Sequence, residues 1–144
     1  MPLTNFGAIL NFAETIEAEG MDFYLQASQQ AGAGSLSDGF AALATEGKKL
    51  RSLVQRTRRE NVTEMILEPI RDFYRASYQL SVDDPTAMDR GGILNAAVAL
   101  ENRAFQYYND AADRIRALPE VSRALKMLAK KHAKRIDRFN GMIA

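Results

Sequence analysis

The chain has 144 residues, 47% of them hydrophobic and 26% charged, a composition that fits one globular domain and excludes disordered, collagen-like and disulfide-scaffold classes. Nineteen Lys and Arg against eighteen Asp and Glu leave a formal charge of +1, so no net field draws the whole molecule to nucleic acid or an anionic membrane. Cysteine is absent, which excludes disulfides, thiol catalysis, zinc ribbons and Fe–S ligation.

The opening MPLTNFGAIL has neither a basic n-region nor a long apolar h-region, and no stretch approaches the roughly 20 apolar residues that span a bilayer. The expectation is a cytoplasmic protein with no membrane partner. Apolar residues recur at helical spacing and nowhere alternate as a strand requires. The spacing predicts a first helix from about Asn5 to Gln30, with Phe6, Ile9, Leu10, Ala13, Ile16, Tyr24 and Ala27 along one stripe, closed by AGAGS at Ala31 to Ser35. Ser35 with Asp38 resembles a capping box for a second helix, which carries Phe40, Leu43, Gly47, Leu50 and Val54 to about Glu60.

From Asn61 to Asp84 the periodicity weakens, although Met65, Ile66, Leu67, Ile70, Phe73 and Tyr74 are too many apolar residues for a free surface loop. They predict a partly helical crossover that covers the bundle or a second subunit. Asp84 is the expected cap of a third helix, with Pro85 in its first turn and Gly91-Gly92 delaying its regular part, and the helix runs through Leu94, Val98, Glu101, Phe105 and Tyr108 to about Ala117. Pro119 opens a fourth. Two short turns make two antiparallel helix hairpins, and the link between them is long enough to run the length of a helix.

An internal repeat sharpens this architecture. LNFAETIEAEGMDFYLQA (Leu10 to Ala27) aligns without a gap on LNAAVALENRAFQYYNDA (Leu94 to Ala111), at a shift of 84 residues. The second and fourth helices repeat less clearly, at a shift of 82 that lays Gly47 on Ala129 and Leu50 on His132. The repeat puts Glu17 and Glu101, each followed seven residues later by a tyrosine (Tyr24, Tyr108), at equivalent core-facing points. Two carboxylates inside an apolar bundle require a metal, a counter-charge or a bound proton.

On the two Glu-x6-Tyr helices, the hairpin-crossover-hairpin order, and the EAEGMDFY and LATEGKKL stretches, the sequence resembles the ferritin-like superfamily, most closely its small rubrerythrin-like members. The resemblance covers most of the chain. It implies a single domain over residues 1–144, an all-α four-helix bundle of two antiparallel hairpins joined by a long crossover between helices two and three. In that family a lone Glu from each of helices one and three joins a Glu-x-x-His from each of helices two and four to hold two irons. Glu17, Glu101 and His132 match three of the six positions. Gly47, Leu50 and Ala129 stand at the others, so the diiron site is degenerate. A one-residue phase shift would bring in Glu46 as a fourth ligand.

Two chemistries stay open for these residues. In one, Glu17 and Glu101 form a hydrogen-bonded polar cluster with His132 as cation and Tyr24 and Tyr108 as donors, and the protein is a non-catalytic scaffold with no metal or weakly bound iron. In the other, Glu17, Glu101, His132 and Glu46 hold iron in an atypical oxidoreductase of peroxidase or ferroxidase type. The resemblance implies a homodimer, with a small-molecule or protein partner unidentified. The basic runs Lys48 to Arg59 and Arg123 to Arg138 read as solvated faces, and the near-neutral total argues against a nucleic-acid partner.

Overall fold

The computed structural model describes residue 3 and residues 6–29, 37–60, 73–82, 85, 88–116 and 118–143. Four helices account for most of them, with no β-strand among the described residues: α1 Phe6–Ser28, α2 Ser37–Glu60, α3 Arg90–Arg114 and α4 Pro119–Ile143. A short 3-10 turn at Arg75–Ser77 lies between α2 and α3. Among the described residues, no helix is long and apolar enough to cross a membrane.

Each helix follows from its stripe and its ends. On α1 the buried Ile9, Leu10, Ala13, Ile16, Glu17, Tyr24 and Ala27 recur at spacings of three, four and seven, with Ile9–Leu10 and Ile16–Glu17 as adjacent pairs, a single core-facing arc. α4 starts with Pro119, whose fixed φ and missing N–H suit a first helical position. α3 differs from the expected start. Its cap is Asp89, whose carboxylate accepts the Gly92 N–H at 2.8 Å, and Pro85 lies ahead of the helix. Asp89 prevails because it stands three residues before a free helical N–H, the spacing an N-cap needs. Asp84, Ser35, Met65, Ile66, Leu67 and Ile70 lie outside the described residues.

Side-chain contacts fix the directions. Asn11 meets Arg58 and Glu14 meets Gln55, so α2 runs antiparallel to α1. Glu101 meets His132 while Ala112 meets Ser122, so α4 runs antiparallel to α3. Tyr24 reaches Glu101 and Tyr107 reaches Ile9, which sets α3 antiparallel to α1. Consequently α2 and α3 run the same way, and the segment joining them must return along the bundle.

The described part of that crossover lies over the α1/α3 face. Phe73, 2% exposed, stacks on Tyr107 with centroids 5.6 Å apart, and its carbonyl accepts the Leu3 N–H at 2.7 Å. Tyr78 donates to Asp110 at 2.5 Å, and Leu80 and Val82 pack beside the cluster containing Phe23 and Leu100. Tyr74, in contrast, is 48% exposed.

The core divides into two apolar clusters. One gathers Ile9, Leu10, Ile16, Leu50, Tyr107, Ile115, Leu125 and Leu128, the other Phe23, Phe40, Leu43, Leu94, Leu100 and Phe139. Between them, at the middle of α1, α3 and α4, lies a polar layer.

Candidate functional site

The layer is built by the repeat. Glu17 and Glu101 occupy matching positions on α1 and α3 and are 3% and 2% exposed. Each accepts the phenol of the other helix: Tyr24 Oη donates to Glu101 Oε1 at 2.6 Å, and Tyr108 Oη to Glu17 Oε2 at 2.5 Å. Burial, followed by the adjacent carboxylate, pushes both phenols well above their usual range, so they stay protonated donors. Each tyrosine thus reaches the glutamate of the opposite helix.

His132 sits between the carboxylates, 3% exposed. Its Nε2 lies 2.9 Å from Glu17 Oε2, and its Nδ1 contacts Glu101 Oε2. Its ring stacks on Tyr108 at 5.5 Å. An ionised carboxylate only accepts, so a ring bonded through both nitrogens to two carboxylates must carry both protons. Burial alone would lower the His132 pKa, but Glu17 and Glu101 override it and push it up to about 9. Burial likewise would raise Glu101, yet His132, then Arg135, then the Tyr24 hydrogen bond hold it below its ordinary value.

Arg135 completes the neutralisation. Its Nη1 donates to Glu101 Oε1 at 3.1 Å, its Nη2 lies 3.1 Å from Glu46 Oε1, and its guanidinium stands 6.0 Å over the Tyr24 ring. Two buried anions thus face two buried cations, which removes most of the cost of an unpaired charge in an apolar core. Glu46 is at the rim, with its side chain 45% exposed, and Gly47 takes the buried position beside it.

The residues do not fit a two-metal centre. A Cβ at Gly47 would meet Met21 Cβ at 3.2 Å, so Met21 occupies the space a longer, metal-ligating side chain would need there. Leu50 and Ala129 are buried among apolar neighbours and offer no donor. Both nitrogens of His132 are committed to carboxylates, and a guanidinium stands on Glu101 where a second cation would compete with it. Among the described residues, no group of three or more His, Cys, Asp or Glu is arranged to hold a metal ion. A cavity of about 10 Å³ beside Glu17, Met21, Gly47, Glu101 and Arg103 has the size of one water molecule.

No family model, curated protein or solved structure matches the chain.

Of the residues the sequence singled out, Glu17, Glu101, His132, Tyr24 and Tyr108 come together, and Glu46 touches the group only through Arg135. The sequence reading missed Arg135 and assigned it to a solvated basic run. Its signal was its spacing, since it stands three residues after His132 and shares that helix face. Arg103 was missed as well. It is 8% exposed, pairs with Glu19 at 3.1 Å and donates to the Tyr78 carbonyl at 3.3 Å, tying α1, α3 and the crossover together.

Proposed function

We propose that the protein is a ferritin-like bundle in which an internal ion cluster takes the place of the metal centre, and that it works as a non-catalytic scaffold. The observation that carries this reading is the bonding of His132 through both ring nitrogens to Glu17 and Glu101. A cation bridging two carboxylates from helices one and three meets the electrostatic demand that a metal meets in the intact family. Arg135 supplies the second positive charge. The reciprocal Tyr24 and Tyr108 bonds, the gapless repeat and the parallel α2 and α3 with their long link support the ferritin-like assignment.

The oxidoreductase reading has less support. It needs His132 released from a carboxylate and a bridging ligand that neither Gly47 nor Ala129 provides. Thermal unfolding with and without ferrous iron, manganese or zinc distinguishes the two. A metal bound to the folded state at a hundred times its Kd adds about 2.7 kcal/mol, which moves the Tm of a domain this size by several degrees. The scaffold reading predicts no such shift at neutral pH. A metal-dependent rise that His132→Ala abolishes would overturn it.

A further inference from the structure

The near-zero total charge conceals a sorting of charge by helix. α2 carries six basic residues against three acidic, and α4 seven against two, so the pair sums to +8 with His132 neutral. α1 carries four acids and no base, and α3 balances three against three.

Five of these thirteen cations share one side. The contacts Phe40–Phe139 and Glu46–Arg135 set the register of α2 against α4 and place Lys49 level with Lys131. Lys49 follows Glu46 by three residues, while Lys131 and Arg138 stand four before and three after Arg135. They therefore share the edges along which the two helices meet. Arg56 and Lys134 extend the two rows, and all five are exposed. Apart from Arg56, which meets Glu60 at 3.8 Å, none of the five has an ion pair among the described residues.

Among the described residues nothing covers this face, since the described crossover lies over the α1/α3 side. Three of the four acids on α1 are engaged elsewhere, Glu14 by Arg51 and Gln55, Glu17 by His132 and Glu19 by Arg103, and Asp22 alone is left exposed there. The five cations, in rows on two adjacent helices, span about 20 Å, enough to meet several successive phosphates of a duplex. The large exposed apolar side chain on α2 or α4 is Met127 alone among the described residues, which leaves nothing to stack on bases and little to insert into a bilayer.

We infer that the α2/α4 face binds the phosphodiester backbone of duplex nucleic acid without reading its bases. This goes beyond the scaffold reading and does not depend on whether the polar layer holds a metal. Fluorescence anisotropy with mixed-sequence duplex DNA, duplex RNA of equal length, phosphatidylserine vesicles and polyglutamate tests it. Four phosphate contacts predict a fall in duplex affinity of about a hundredfold between roughly 50 and 200 mM salt. The double reversal Lys49→Glu/Lys131→Glu should weaken duplex binding at least tenfold and reduce the log–log salt slope by about 2, with the melting curve confirming that the variant folds. Asp22→Asn, on α1, should bind as the parent does. Binding by either duplex with these effects supports the inference, and comparison of the two duplexes identifies the source of the phosphate. Absence of duplex binding at low salt, binding indifferent to the reversal, or binding confined to vesicles or polyglutamate would overturn it.

Discussion

Raising the pH should loosen the polar layer through a single side chain. His132 moves from its ordinary 6.5 to about 9 on folding, an interval of about 2.5 pH units that corresponds to roughly 3 kcal/mol. A pKa raised on folding contributes its full stability below the unfolded value, and the contribution disappears as pH climbs through the folded value. Stability should therefore hold up to about pH 6.5 and decline by roughly 3 kcal/mol through pH 9, a large share of the 5 to 15 kcal/mol typical of a domain. Urea unfolding followed by far-UV circular dichroism, from about pH 6 to 9.5, reads this as a falling midpoint at constant m-value. His132→Gln should be less stable at neutral pH by about 3 to 5 kcal/mol, because two buried carboxylates lose the cation between them, and it should lose the alkaline decline. Acidification should stabilise that variant as one buried carboxyl takes up a proton. A flat profile in the parent chain, or the same decline in His132→Gln, would refute the reasoning.

Other substitutions probe the rest of the layer and the helices that carry it. Glu101→Gln should cost more than Glu17→Gln in chemical denaturation, by about 1 kcal/mol or more, since Glu101 faces both His132 and Arg135 and its loss leaves two cations short of an anion. Gly20→Ala should raise stability by up to about 1 kcal/mol, as nothing lies within 4 Å of the added Cβ and alanine is the better helix former. Gly47→Ala should gain less or lose outright, because Met21 Cβ stands at 3.2 Å; an equal gain at both glycines would contradict the packing described. Asp89→Ala should cost about 1 kcal/mol through the lost cap on α3, visible as a lower Tm.

The helices were legible because apolar spacing and turn residues report local geometry directly. The gapless match of Leu10 to Ala27 on Leu94 to Ala111 then placed Glu17 opposite Glu101, information that a single helix does not contain. The same symmetry put Tyr24 and Tyr108 at matching points but did not decide between a hydrogen-bonding role and core packing alone. Arg135 escaped because its neighbours Lys134 and Arg138 are exposed, and composition does not separate one inward cation from a basic run. The start of α3 escaped because two aspartates and a proline precede it, and choosing among caps depends on which N–H groups are left free. Charge sorting was present in the sequence and cancelled in its sum, so only the assignment of each charge to a helix and a face reveals it.

The chain contains one histidine, so its imidazole nitrogens can be read by NMR in the intact protein without ambiguity. The central claim is that His132 is an imidazolium held by Glu17 and Glu101. At pH 7.5 both ring nitrogens should show the shifts of protonated nitrogen, moving together only as the pH approaches about 9. A neutral ring at that pH, titrating near its ordinary 6.5, would contradict the account.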